Sequence, residues 1–400
     1  MLPCNDSLGM AESLSKQYDM SLAIVEALLQ VYSSRTLNVL DALKKPPTRF
    51  FVRVNTLKGE IANVLGKFED HGLKVKQDPY IPEAFSMDIE GPFDLPSTSK
   101  SIVADRIAAE SVIQGADLFA PGVVKCQGVA RNDVLTVVNN KGHPVAVGVA
   151  QMSEKEILTL RSGIAVKTLV SRYRVPSLRN LPEYADGLVY AQSFPAMLAS
   201  RILDPQPGET MIDFCSSPGG KLTYVAQLMK DRGNLIAVDR SPRKIEKIRH
   251  NLHRLGIRNV RILLEDSRYL DLSFPGLKAD RILIDPPCSA LGLRPRLYGN
   301  LRRSELSSFA SYQAQFFRPA VKLLRDEGTI VYSTCTLTLS ENEQLIDNVM
   351  KKYGLELLNQ YLLLGSRGVE GFGCSGDVQR FHPDIHDVCG FFIALLRKGR

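Results

Sequence analysis

The second half of the chain constrains the fold most. From residue 210 onward, short apolar runs rich in β-branched residues recur: TMIDFC, NLIAVDR, VRILLED, DRILIDPP, GTIVYSTC and finally CGFFIALL. Between them, near 220–231, 242–255, 303–325 and 340–353, apolar residues fall at helical spacing. Strands alternating with helices at this interval form a mostly parallel sheet covered by helices, because each crossover helix returns the chain to the starting end of the sheet. Ligands of such sheets sit at the carboxyl ends of the strands, which is where the chemically unusual residues of this chain cluster.

Upstream the periodicity changes twice. Residues 9–46 read as helical with a short break and end at Lys44-Lys45-Pro46-Pro47. RFFVRVNTL (49–57) and AFSMDIEG (84–91) then read as strands around a helical stripe at 60–73, a small α/β module. From about 97 to 172 the text becomes short β-like runs broken by Gly122, Gly128, Gly142, Gly148 and Gly163, the pattern of a compact barrel. The expected organisation is three units: 1–96, 97–172 and 173–400.

At 400 residues and 44% hydrophobic, the chain is too long and too apolar for a disordered segment or a small disulfide scaffold. Fifty Lys and Arg against 43 Asp and Glu leave a formal +7, which suits a polyanionic partner without demanding one. Seven scattered cysteines (Cys4, Cys126, Cys215, Cys288, Cys335, Cys374, Cys389) are an odd set, the usage of a reducing compartment. No run approaches the roughly 20 apolar residues of a membrane span. A soluble, cytoplasmic monomer without a membrane or an obligatory protein partner is the expectation.

The first strand of the sheet runs into Cys215-Ser216-Ser217-Pro218-Gly219-Gly220-Lys221 and then a helix. Glycines there allow close backbone approach, and the helix N-terminus offers free N–H groups. Asp239 ends the second strand, where a carboxylate holds ribose hydroxyls, and Asp266 closes the third. Neither G-x-G-x-x-G nor G-x-x-x-x-G-K-[ST] occurs at this turn, so an adenosine cofactor without phosphates, S-adenosylmethionine, fits better than a dinucleotide or a nucleoside triphosphate. The bland alternative is a strand-helix turn with three surface acids.

Two cysteines end strands four and five: Cys288 in Asp285-Pro-Pro-Cys-Ser, and Cys335 in Ser333-Thr-Cys-Thr. Cys215 reads instead as a packing residue. Methylating carbon 5 of a pyrimidine requires a nucleophile, because that carbon is too weakly basic to attack a sulfonium methyl. A thiolate adding at C6 makes C5 an enamine carbon. A carboxyl group then stabilises the ring at N3, and a base removes the C5 proton. Two thiols, Asp285 and Lys221 meet this list. A redox pair is the rival, disfavoured by the distance in sequence and the missing C-x-x-C. On the residues alone, either cysteine serves as nucleophile.

DFCSSPGGK, the strand-end Asp239 and Asp266, DPPCSALG and YSTCTLTLSENE resemble, in order and spacing, the RNA cytosine-5 methyltransferases of the Sun-domain family over roughly 188–398. The resemblance implies a Rossmann-like class I methyltransferase domain. It implies Cys335 as nucleophile and Cys288 as the residue assisting product release. It also implies cofactor contacts from residues 215–221, Asp239, Asp266 and Asp285, with Lys244 a further candidate. Related DNA enzymes use the prolyl-cysteine instead. Ser216-Ser217 replace the family's double alanine, Ala290 stands where glycine is common, and T-C-T replaces T-C-S, each a swap between small residues.

The barrel, from SIVADRIAAESVIQGADLFAPGV to GHPVAVGVAQMSEKE, is similar to a PUA domain, and RFFVRVNTLK to the family's N-terminal RNA-recognition-like segment. A PUA domain inserted ahead of the catalytic domain implies the subfamily that methylates cytosine 72 at the 3′ end of the tRNA acceptor stem, with the PUA domain holding the CCA end. Arg294, Arg296, Arg302 and Arg303, and Lys167, Arg172, Arg174 and Arg179, are candidates for phosphate contact. Tyr298 or Phe381 could stack on an extruded base, core packing being the stronger reading for Phe381. Cys374, His382, His386 and Cys389 suggest zinc, but Pro383 and the missing C-x-x-C argue against it, and no metal is expected; His386 is placed near the pocket. A methyltransferase acting on rRNA, or an RNA-binding protein that has lost catalysis, is the alternative, and retention of both cysteines argues against the second.

Overall fold

The computed structural model describes residues 4–399, with side chains from residue 9, so the Cys4 thiol lies outside the described residues. The catalytic sheet contains β1 (Thr210–Asp213), β2 (Asn234–Asp239), β3 (Val260–Leu264), β4 (Ala279–Ile284), β5 (Leu324–Thr334), β6 (Gln379–Phe381) and β7 (Phe391–Lys398). Its order is β3-β2-β1-β4-β5-β7-β6, extended by the short strands Ser366–Arg367 beside β6 and Leu355–Leu357 beside β7. The pairs from β3 through β5 are parallel and β7 is antiparallel to β5 and β6, so the mostly parallel sheet is as the alternation predicts. Two apolar layers cover it. Met211, Leu235 and Leu283 face one, while Ile212, Ile236, Ile282 and Ile284 face the other. Both faces are buried, which is why these strands are continuous apolar runs rather than alternating ones. Each such aliphatic side chain contributes about 1.5–3 kcal/mol on burial.

The N-terminal α/β module is an antiparallel sheet whose order is Val189–Ala191, Arg49–Val54, Ala84–Asp88, Lys76–Gln77. The helix Ile61–Asp70 packs on it through Phe68, whose ring meets Phe85 edge-on at 4.9 Å. Its outer strand, Val189–Ala191, lies beyond the barrel in sequence, so the chain returns to this module before entering the catalytic sheet. The helical stretch is three helices, Cys4–Gln17, Leu22–Tyr32 and Thr36–Leu43; the expected short break is the 3-10 turn Ser33–Arg35, and a second break precedes Leu22. Their apolar faces close over Leu291, Leu306 and Leu337 of the catalytic unit.

The barrel has six strands: Leu118–Phe119, Ile164–Ser171, Pro144–Ala150, Val134–Asn139, Ser101–Ala104 and Val123–Lys125, in order of pairing. Gly148 sits where a Cβ would lie 2.5 Å from the Lys167 carbonyl oxygen, so only glycine permits this strand pair. Two helices interrupt the strands. Arg106–Val112 is capped by Asp105, which accepts from the Ala108 amide at 2.8 Å, and Glu154–Leu160 by a Ser153/Glu156 capping box. The strand-only reading of this segment misses both, although S-E-K-E is a capping-box pattern.

Candidate active site

The turn after β1 is shaped by its own side chains. Ser216 Oγ donates to the Asp213 carbonyl at 2.8 Å and accepts from the Val238 amide at 3.0 Å, tying β1 to β2. The Cys215 amide donates to Asp213 Oδ1 at 3.2 Å, and Asn251 Nδ2 to the Pro218 carbonyl at 2.9 Å. Gly219, at φ +106°, opens the helix Gly220–Leu228 from the left-handed region that a side chain resists. Burial, then the nearby Asp285, pushes the Asp213 carboxyl up to about 7. Burial likewise holds Cys215 as a thiol, in keeping with a packing role.

Two cavities meet at Cys215. Phe214, Tyr312, Phe316 and Pro287 line one, with Asp239, Asp266 and Lys244 among its polar residues. Asp239 Oδ1 accepts from the Ser241 amide at 3.0 Å, and Lys244 stands 3.6 Å from Oδ2. Asp266 is gripped by Arg268, whose side chain holds its carboxyl below the ordinary range. The second cavity is lined by Ser216, Ser217, Pro218, Gly220, Asp213, Lys221 and Asp285. Its only lysine is already paired with a carboxylate and Asp213 adds another, a lining hostile to phosphates. A slot with aromatic walls and strand-end carboxylates, joined to an anionic chamber, instead fits an adenosine bearing a sulfonium and an ammonium group. S-adenosylmethionine meets that test.

Beyond this chamber, Lys221 Nζ donates to Asp285 Oδ2 at 2.6 Å, and Ser333 Oγ to Oδ1 at 2.8 Å. The Cys288 and Cys335 sulfurs lie 3.2 Å apart. The contact with Cys288, together with burial, holds Cys335 well above the ordinary thiol range, and Lys221 opposes this. The 47-residue separation offered against a thiol pair is thus removed by the sheet, whose adjacent β4 and β5 deliver both cysteines to one point. The Phe391 ring, at the start of β7, sits 5.2 Å from Lys221 Nζ. The sequence reading passed over it.

A second missed residue is Glu341, fully buried in the S-E-N-E run. It accepts from the Ser289 amide at 2.9 Å, from Ser289 Oγ, from Gln313 Nε2 at 2.8 Å and from Thr338 Oγ1 at 3.0 Å. Ser289 and Thr336 hydroxyls are themselves 2.6 Å apart, so one carboxylate clamps the residues that follow the two cysteines. A glutamate two residues before an apolar helical stretch reads locally as a solvated helix start, and only the fold reveals the clamp.

Several candidates move. Arg294 is buried, donating to the carbonyls of Ala42, Pro46 and Pro383 and to Asp387, and Arg296 to the carbonyls of Ser289 and Ala290. Both brace the loop after Cys288 rather than reach for phosphate. Arg302 and Arg303 stay exposed, paired with Glu305 and Glu26. Tyr298 plugs the barrel core and accepts from Asn140 Nδ2, so it is no stacking platform. Phe381 is buried in the core beside Phe194. Ala290 adopts φ +53°, a conformation costing about 1–2 kcal/mol outside glycine, and the Arg296 bond to its carbonyl holds it there. The size-for-size reading of this substitution missed that strain.

Cys374 sits against the Glu343 carbonyl, Cys389 near Arg294, and His382 against Tyr32 and His386. Among the described residues no cluster of three such groups can hold a metal ion.

Residues 200–397 match the family described as 16S rRNA methyltransferase RsmB/F, 100–170 the PUA domain, and 23–94 the ferredoxin-like domain of RsmF/B-like methyltransferases. The tRNA (cytosine(72)-C(5))-methyltransferase of Pyrococcus horikoshii is 39% identical over 90% of this chain and 92% of its own length. The human tRNA (cytosine(72)-C(5))-methyltransferase NSUN6 is 32% identical over 97% and 92%. A crystal structure of NSun6 from Pyrococcus horikoshii with SFG, an S-adenosylmethionine analogue, superposes with a TM-score of 0.86 at 36% identity, covering 96% of this chain and 99% of that one. With that ligand chemistry matching the two joined cavities, S-adenosylmethionine is the cofactor, and the chain belongs to the RsmB/F (Sun-domain) family of methyltransferases, in the branch that carries a PUA domain.

Proposed function

We propose that this chain methylates carbon 5 of cytosine 72 at the 3′ end of the tRNA acceptor stem. The observation that carries the reading is the pair of thiols 3.2 Å apart beside the Lys221–Asp285 ion pair. Bound in the two cavities, S-adenosylmethionine supplies an electrophilic methyl group. Residues 215–221, Asp239, Lys244, Asp266 and Asp285 hold it. Cys335 passes its proton to the Asp285 carboxylate, which delivers it to N3 as the sulfur adds to C6 of the base, and C5 becomes nucleophilic. Asp285 faces N3 and the exocyclic amine, held in place by Lys221 and Ser333. Cys288 assists removal of the C5 proton, and the C6–sulfur bond then breaks.

A cleft of about 1080 Å³ supports an RNA tail as substrate. Ser111, Gln114 and Gly115 of the barrel form one wall, and Lys247, His250 and Asn251 of the catalytic unit another. Tyr190, Ala191 and Pro218 line both this cleft and the cofactor chamber. Bases unpaired from the stem fit such a groove. The 16S rRNA description attaches to the catalytic unit; the two tRNA enzymes named above match 90% and 97% of this chain at 39% and 32% identity, against 26% for an rRNA enzyme of Arabidopsis thaliana matched over 90%, and the higher identity favours tRNA. Among the described residues no helix is long and apolar enough to cross a membrane. The free thiols suit a reducing compartment, and we place the protein in the cytoplasm, as a monomer with no obligatory protein partner.

The test is methylation of transcribed tRNAs with labelled S-adenosylmethionine, mapped by bisulfite sequencing. One modified acceptor-stem cytosine, lost when the CCA end is removed, is the expected result. Modification confined to rRNA, or indifference to CCA, overturns it.

Asp213 adds a pH dependence. Its folded pKa of about 7 lies above the ordinary carboxyl value, so its contribution to stability is present at acid pH and is lost as pH rises through 7. A cation bound beside it favours the ionised form. Cofactor affinity is therefore expected to rise with pH, by up to about tenfold per unit below 7, and then to level off. Calorimetric titration between pH 5.5 and 8 reads this, and Asp213→Asn should flatten the profile.

A further inference from the structure

Gln192 lies between the last strand of the N-terminal module and the helix Phe194–Ile202, and it lines the anionic cofactor chamber with Asp213, Lys221 and Asp285. The residue is 7% exposed. The carboxamide oxygen accepts from Arg53 Nε at 3.1 Å, while Nε2 is buried and has no hydrogen-bond partner. Flipping the amide would set its NH₂ against the guanidinium, donor to donor, so Arg53 fixes the orientation. A buried amide donor left unpaired costs about 1–3 kcal/mol, which a bound acceptor restores.

Arg53 itself is unusual. It comes from the ferredoxin-like strand Arg49–Val54, is fully buried, and bonds Gln192, Gln227 and Thr223. Among the described residues its hydrogen bonds reach no carboxylate; Tyr190 and Tyr224 pack against it by their ring faces. Burial pushes its pKa down to about 10, the sign of a charge poorly compensated. Its N–H polarises the Gln192 amide and strengthens the donor at the far end. The chamber therefore has carboxylates for the cofactor's two cationic groups. For the amino acid carboxylate, it has one buried unpaired amide donor backed by a cation.

We propose that Gln192, oriented by Arg53, binds the α-carboxylate of S-adenosylmethionine, so that the N-terminal module completes the cofactor site. This rests on the assignment of S-adenosylmethionine as cofactor. The full chain is titrated calorimetrically with S-adenosylhomocysteine, which carries the carboxylate, and with 5′-deoxy-5′-methylthioadenosine, which lacks the amino acid end. Gln192→Leu is expected to weaken S-adenosylhomocysteine about tenfold or more and to leave methylthioadenosine unchanged. Gln192→Glu keeps the shape and the Arg53 bond but faces the ligand with an anion, and is expected to show the same selectivity more strongly. It also stands in should the leucine variant fail to fold. Equal losses for both ligands mean a shape effect, and no loss for either, with or without a fall in RNA methylation, means the amide serves something else. Either overturns the proposal. Failure of the unmodified chain to bind S-adenosylhomocysteine would instead overturn the cofactor assignment.

Discussion

Cys335→Ala is expected to abolish methyl transfer to RNA, lowering turnover by about 10⁴-fold or more, while S-adenosylmethionine still binds. The cofactor cavities are lined by residues of β1 to β4, of the segments that follow these strands and of the stretch 190–196, and Cys335 lines neither. Cys288→Ala is expected to differ in kind. The nucleophile stays intact and the C5 proton loses the group 3.2 Å from the attacking sulfur, so RNA remains covalently attached. Denaturing electrophoresis of labelled tRNA with each variant separates the two. A trapped adduct with Cys335→Ala and none with Cys288→Ala would exchange the roles, which the near-symmetric placement of the sulfurs allows. Removing Cys288 also removes the contact that raises the Cys335 thiol most, so the adduct should form at lower pH than in the unaltered chain.

Asp285→Asn is expected to lower methyl transfer by about 10²–10⁴-fold. The substitution keeps size and a partner for Ser333 but removes the anion that neutralises Lys221 and that the proposed mechanism sets against the base. Lys221 is then a nearly buried ammonium without its partner, a loss on the order of 2 kcal/mol in stability for a pair of this partial exposure. Lys221→Met in the same chain should recover thermal stability without recovering activity. Turnover of the double variant close to that of Asp285→Asn alone would show the pair acting as a unit. Activity of Asp285→Asn within tenfold of the unaltered chain would reduce the pair to a structural one.

The six catalytic strands named from the sequence and the loops at their ends are all present, because strands buried on both faces are short apolar runs and the helices between them have a strong period. The barrel helices were harder. Arg106–Val112 and Glu154–Leu160 are seven residues each, too short for a period to emerge among glycines. Arg294 and Arg296 were read as candidates for phosphate contact because they directly follow the Asp-Pro-Pro-Cys-Ser loop. They are buried by the N-terminal helices and the C-terminal loop, more than 80 residues away on either side.

By itself the sequence determined the sheet, the turn after β1, the strand-end acids and the two cysteine loops, since each depends on residues within about ten positions of one another. The tertiary structure alone decided what those parts meet. It closed the N-terminal sheet with Val189–Ala191 from beyond the barrel and turned Glu341 into a clamp on both cysteine loops. It also buried Arg53 behind Gln192 and set two sulfurs 47 residues apart at 3.2 Å. Local periodicity reports which face of an element is apolar, and the choice of partner for that face is made by packing across the whole chain.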